Sequence, residues 1–129
     1  MATDAGASIN FVGDLLDASA TMAITEGDES GEAESADGTR FNLLSNPYPT
    51  YVSVNANAST AAANGSDHLL NATNLNLLHS NNQAIYVWGG SSYTTINAST
   101  VAGSATIAAG QGFMVGGSYS TSGNFTFST

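Results

Sequence analysis

The amino-acid sequence predicts an all-β protein, an antiparallel β-sandwich-like domain with at most one short helix. Apolar and polar residues alternate over short runs, which is typical of half-buried strands. Glycine, proline and asparagine separate these runs at short intervals, so turns and not long helical crossovers connect the strands. The pattern does not distinguish a jelly-roll from an immunoglobulin-like topology.

The alternating runs follow one another along the chain. They contain Ile9 and Phe11, Met22 and Ile24, Phe41 and Leu43, Val52 and Val54, Phe113 and Val115, and Phe125 and Phe127. Residues 84–88 are apolar on both faces of the expected strand, which predicts a central strand covered on both sides. We expect one core made of Phe11, Leu43, Ile85, Phe113, Val115, Phe125 and Phe127. The leucine-rich residues 67–80 are the only segment expected to hold a short helix.

Length and charge limit the class of protein. A chain of 129 residues suits one domain, so we treat residues 1–129 as a single β domain and expect it to be a module of a larger secreted protein. The chain has one Arg, no Lys, ten acidic residues and a net charge of −9. Nucleic acid is therefore not an expected partner, because binding it requires Lys and Arg to neutralise phosphates. No apolar run is long enough to predict membrane insertion.

The acidic residues are concentrated before Arg40. Residues 26–38 form a polar run without periodicity, which predicts an exposed acidic loop. Asp28, Glu32 and Asp37 in this loop are the candidate metal ligands, because calcium prefers carboxylate oxygens. Their spacing does not match an EF-hand, and charge runs are usually solvated. We therefore predict no cofactor and keep calcium as the alternative.

Two motifs predict rigid turns. In Asn46-Pro47-Tyr48-Pro49 the prolines restrict the backbone and Asn46 can bond to it, which predicts a corner with Tyr48 presented or buried beside it. Residues 110–112, Gly-Gln-Gly, precede an apolar strand, which indicates positive φ or close backbone approach. A phosphate-binding glycine loop requires a helix at this point, so the structural interpretation is favoured.

These motifs also carry a family resemblance. In order, Asn-Pro-Tyr-Pro (46–49), Ala-Ile-Tyr-Val-Trp (84–88), Gly-Gln-Gly-Phe-Met-Val (110–115) and Phe-Thr-Phe (125–127) resemble a β module of large secreted, type IX-exported surface proteins of Bacteroidetes. Phe41 stands where that module usually has Trp, and Ala109 where it has Pro. The resemblance implies a β fold and an extracellular or cell-surface location. It implies no catalytic residues.

An enzyme is not expected from the inventory of reactive side chains. The chain lacks Cys and Lys, and it contains no nucleophile-elbow or His-Glu-x-x-His motif. His68 and His79 are the only imidazoles, and Asp67 is the only carboxylate after residue 37. A Ser-His-Asp set drawn from them is conceivable, because geometry defines such triads. The favoured interpretation is that both histidines cap or flank the leucine-rich segment.

The aromatic residues are the candidate ligand-binding residues: Tyr51, Trp88, Tyr93 and Tyr119. Flat rings among neutral amides and hydroxyls suit sugar rings, which have apolar C–H faces and hydroxyl edges. For Trp88 a core position is the simpler expectation, because it lies on the proposed central strand. A polysaccharide or surface-glycan partner, with an adhesive function, is one hypothesis. The alternative is a structural module or self-associating subunit of an extracellular filament or sheath. Few charged residues are present after Arg40 to prevent strand edges from pairing between copies.

Overall fold

The computed structural model describes residues 16, 18–25, 40–55, 68–100, 105–118 and 122–128. This part of the chain is mostly β, with antiparallel strand pairs and one short α-helix. The strands are β1 (Ala20–Ile24), β2 (Arg40–Ser45), β3 (Val52–Ser53), β4 (Ala84–Trp88), β5 (Tyr93–Asn97), β6 (Thr106–Ile107), β7 (Gly112–Gly117) and β8 (Gly123–Phe127). The helix α1 spans Ala72–Leu75, and a 3-10 turn follows at Ser80–Asn82.

Three sheets share one core. The largest has four strands in the order β2-β7-β4-β5, while β1 pairs with β8 and β3 pairs with β6. Phe113 of the large sheet contacts the rings of Phe125 and Phe127 on β8, with centroid distances of 6.3 and 6.2 Å. The β1-β8 pair therefore packs on one face of the large sheet, in a sandwich-like arrangement.

Most of the predicted core is confirmed. Ile85, Phe113, Val115, Phe125 and Phe127 are all fully buried and belong to one apolar cluster. Strict alternation explains this, because buried Phe125 and Phe127 flank the less buried Thr126 on β8. Phe11 lies outside the described residues, as does the strand predicted around Ile9.

The prediction for Leu43 is wrong. Its side chain is 76 % exposed, while the adjacent Leu44 is buried. In the β2-β7 ladder Leu44 is paired with Phe113, and paired residues project from the same face of a sheet. The core position therefore belongs to Leu44, and Phe41 shares the exposed face with Leu43.

The prediction for residues 84–88 is half right. β4 does lie inside the large sheet, between β7 and β5. Its second face is covered only at its beginning, because Ala84 is buried while Trp88 is 54 % exposed, and Ile85 and Val87 pack toward the core on the other face. Trp88 is therefore not a core residue, contrary to the simpler expectation.

The alternating pattern did not predict the two strands β5 and β6. β5 reads Tyr-Thr-Thr-Ile-Asn and forms a hairpin with β4, although only Ile96 packs against the core. β6 is two residues long and pairs with β3. The short helix predicted within 67–80 is present as α1. Among the described residues, no helix has the length and hydropathy needed to cross a membrane.

The Asn-Pro-Tyr-Pro corner and the glycine turn at residues 110–112 are joined by hydrogen bonds. The Asn46 side chain donates from Nδ2 to the carbonyls of Thr50, Ile107 and Ala108 at 2.7, 3.0 and 3.1 Å. Asn46 also exchanges main-chain bonds with the glycine turn, donating to Gln111 and accepting from Gly110. Gly110 has a φ of +68°, which confirms the positive φ expected there. The corner and the glycine turn therefore form one unit, although they are far apart in sequence.

Candidate functional site

An exposed apolar surface covers one face of the large sheet. It consists of the rings of Phe41, Tyr86, Trp88 and Tyr93 with the side chains of Leu43 and Met114, and we call it the aromatic face. The strand register assembles it, since Met114 is paired with Leu43 on one side and with Tyr86 on the other. With neighbouring strands about 4.8 Å apart, the face extends roughly 14 Å across the four strands. Apolar side chains that are exposed side by side indicate a binding site, whereas apolar side chains exposed singly are common on any protein surface.

Trp88 and Tyr93 form the most exposed ring pair of this face. They are paired across the β4-β5 hairpin, and their ring centroids are 5.0 Å apart at an interplanar angle of 58°. Both side chains are about half exposed, at 54 % and 53 %. The turn that brings them together is closed by the Gly89 N–H, which donates to the Ser92 carbonyl at 2.9 Å. The rings are thus held on a short hairpin while much of their surface faces solvent.

A second ring pair lies toward β2. Phe41 meets Tyr86 edge to face, with centroids 5.4 Å apart and an interplanar angle of 86°. The Tyr93 hydroxyl donates to Met114 Sδ at 3.3 Å, which links the two ring pairs through the centre of the sheet. Phe41, Tyr86, Tyr93 and Met114 line a shallow groove of about 210 Å³. This volume is below the roughly 300 Å³ of small-molecule pockets, so the groove suits a flat group resting on the surface.

The described residues that border the rings of the aromatic face are polar and uncharged. Ser91, Ser92 and Thr95 are exposed on the β4-β5 hairpin beside the rings. The Tyr86 hydroxyl contacts Asn82 Oδ1 at 3.4 Å, at the opposite end of β4. Arg40 is the only Asp, Glu, Lys or Arg residue in the described part of the chain. The described residues of this surface therefore offer rings, hydroxyls and amides, and none of them is a carboxylate.

The predicted ligand residues have different outcomes. Trp88 and Tyr93 come together on the aromatic face, although Trp88 had been expected in the core. Tyr51 is 71 % exposed but lies on the segment before β3, and it makes no ring contact with this pair. Tyr119 lies outside the described residues. Phe41, Leu43, Tyr86 and Met114 were not proposed as site residues from the sequence. The sequence did contain one indication of them: β2 and β4 have apolar residues on both faces, which is more than a single buried face requires.

One histidine has a capping role in the described part of the chain. His79 is buried and caps the 3-10 turn, with Nδ1 accepting from the Asn81 N–H at 3.2 Å. His68 precedes α1, and its main-chain carbonyl accepts from Asn71 Nδ2 at 2.9 Å. Asp67 lies outside the described residues, as do the candidate calcium ligands Asp28, Glu32 and Asp37. Among the described residues, no three His, Cys, Asp or Glu side chains are grouped as metal ligands would be.

Comparison of the chain with protein-family models, with curated proteins and with solved structures found no match.

Proposed function

We propose that this domain is a non-catalytic carbohydrate-binding module, which holds a neutral glycan against the aromatic face. The observation that carries the proposal is the Trp88–Tyr93 pair, two half-exposed rings 5.0 Å apart on one hairpin. The apolar C–H face of a sugar ring can stack on such rings, which removes apolar surface from water.

The surroundings of the rings favour a glycan over other ligands. Hydroxyls of Ser91, Ser92 and Thr95 border the face, and they can both donate to and accept from sugar hydroxyls. The scarcity of charge among the described residues, where Arg40 is the only charged residue, favours a neutral glycan over an acidic polysaccharide. The groove along Phe41 and Tyr86 gives a chain of sugar units a second contact.

The proposed location is extracellular or on the cell surface, as a module of a larger secreted protein. The resemblance of the turn motifs to secreted Bacteroidetes modules supports this location. The solvent-facing chemistry is consistent with it, since only 9 % of the residues are charged, against about a quarter in typical soluble domains.

Trp88 allows a direct test, because it is the only Trp in the chain. Its fluorescence should change on titration with a neutral oligosaccharide identified on a glycan array, and the affinity should be insensitive to salt. Trp88→Ala and Tyr93→Ala should each weaken binding at least about tenfold, which corresponds to about 1.4 kcal/mol. Isothermal titration calorimetry measures both variants.

Tyr51→Ala is the matched control. It removes an exposed ring of the same chemistry that lies off the aromatic face, so its affinity should equal that of the unmodified chain. The proposal fails if no neutral glycan binds, or if Trp88→Ala binds as tightly as Tyr51→Ala. Circular dichroism on each variant separates loss of binding from loss of fold.

A further inference from the structure

We propose that two copies of this chain associate edge to edge through β5, in an antiparallel pair related by a two-fold axis beside Thr94. The proposal does not depend on glycan binding, and it concerns the edge of the large sheet. β5 is the last strand of that sheet and, within the described residues, pairs with β4 alone.

The hairpin determines which main-chain groups of β5 face outward. The Gly89 N–H donates to the Ser92 carbonyl, and bonded and non-bonded residue pairs alternate along an antiparallel ladder. Thr94 and Ile96, paired with Val87 and Ile85, therefore direct their main-chain groups toward β4. The N–H and C=O groups of Tyr93 and Thr95 point away from the sheet. These are the groups that a further strand would bond.

The available edge ends at Asn97. Its N–H already donates to Thr100 Oγ1 at 3.0 Å, and its carbonyl accepts from Asn55 Nδ2 at 3.1 Å. The open ladder is therefore limited to Tyr93 and Thr95, one residue on each side of Thr94. That arrangement complements itself: Tyr93 of each copy can exchange both main-chain bonds with Thr95 of the other copy, so every outward group finds a partner.

The side chains of the edge allow this pairing. β5 contains no proline and no charged residue, and both are common protections against edge pairing. The two Thr94 side chains would lie opposite each other, where β-branched residues pack well. Paired residues share a face, so the aromatic faces of the two copies would form one continuous surface. The symmetric placement of Tyr93 and Thr95 on either side of Thr94 favours a second copy over an unrelated strand, because each copy supplies the partners that the other needs.

Sedimentation velocity on the full chain tests the association. An interface this small belongs to the weak class, below about 1,200 Å², so dimer should accumulate only from about 0.1 mM upward. Added salt should strengthen it, because each copy carries a net charge of −9 and salt screens the repulsion. A monomer at every concentration overturns the proposal, and so do open-ended polymers, because a two-fold pair closes.

Charge exchange at Thr94 tests the register. Thr94→Lys and Thr94→Glu should each abolish the dimer, because like charges would lie directly opposite each other. An equimolar mixture of the two variants should restore it, whereas Thr94→Ser should behave as the unmodified chain. If both charged variants dimerise alone, or if the mixture stays monomeric, the proposed register is wrong. Thr94 does not share the face of Tyr93, so glycan binding by the monomer should be unchanged in all three variants.

Discussion

The hydroxyl of Tyr48 donates a hydrogen bond of 2.8 Å to the main-chain carbonyl of Phe127. The same oxygen accepts from the Ala20 N–H at 3.2 Å, and Ala20 is paired with Phe127 in the β1-β8 ladder. A buried side chain of the Asn-Pro-Tyr-Pro corner therefore joins the end of another sheet. The corner motif acts as a structural connection between sheets, with Tyr48 buried and not presented to solvent.

Tyr48→Phe should destabilise the fold. The change leaves the Phe127 carbonyl and the Ala20 N–H without this partner, and an unsatisfied buried polar group costs about 1–3 kcal/mol. Urea unfolding measures the loss. Tyr51→Phe is the control. Because the Tyr51 ring is exposed, this substitution should change the free energy of unfolding by less than about 0.5 kcal/mol. Equal effects of the two substitutions would contradict the role assigned to Tyr48.

The contribution of Tyr48 should depend on pH in the alkaline range. Burial raises the pKa of the Tyr48 phenol above its ordinary value, although the hydrogen bond from Ala20 opposes the shift. The unfolded chain then releases this proton first, at about pH 10, so the contribution is complete below that pH and decreases above it. The difference in unfolding free energy between the unmodified chain and Tyr48→Phe should narrow above about pH 10. A difference that stays constant up to the pH of unfolding would refute this.

Substitution of Asn46 should be more damaging than its small size suggests. Its amide serves three carbonyls, and its Oδ1 accepts from the Tyr48 N–H at 3.0 Å. Asn46→Ala should lower the free energy of unfolding by about 2–4 kcal/mol. Asn46→Asp should be worse at neutral pH, because it places a carboxylate against those carbonyls. The exposed Asn81→Ala serves as the control in the same denaturant titration.

The register of β2 can be tested with neighbouring leucines. Leu44→Ala should destabilise by about 2–5 kcal/mol, because it leaves a cavity beside Phe113. Leu43→Ala, one residue earlier, should stay within about 0.5 kcal/mol of the unmodified chain. Thermal unfolding of both variants measures the contrast. If Leu43→Ala destabilised the fold more than Leu44→Ala, Leu43 would belong to the core and not to the aromatic face.

Removal of divalent cations should leave the melting temperature unchanged. Residues 26–38 are expected to be a solvated acidic loop, and this segment lies outside the described residues. If Asp28, Glu32 and Asp37 held calcium, a hundredfold excess over Kd would add about 2.7 kcal/mol, which corresponds to a shift of several degrees. Differential scanning calorimetry with chelator and with added calcium measures this. A calcium-dependent rise of more than about 5 °C, lost in Asp28→Asn with Asp37→Asn, would contradict the expectation.

Part of the candidate site was accessible from the sequence. Trp88 and Tyr93 were both proposed as ligand residues, because amphipathic rings among neutral side chains suit sugars. Their partners Phe41 and Met114 were not, since nothing local distinguishes an apolar residue on an open face from one in the core. Their positions relative to Tyr86 depend on pairing between strands that are distant in sequence.

What the sequence determined by itself is the β class, the corner at residues 46–49, the glycine turn before β7 and five of the seven predicted core residues. These follow from local physics: alternation with a period of two orients successive side chains, and proline and glycine restrict or release the backbone. The tertiary structure alone decided which leucine of β2 is buried, which face of β4 stays open, and which carbonyls Asn46 bonds. Each of these depends on strand register, and a shift of one residue would exchange the two faces of a strand. The aromatic face is therefore a property of the assembled sheet, built from residues whose exposure no single strand specifies.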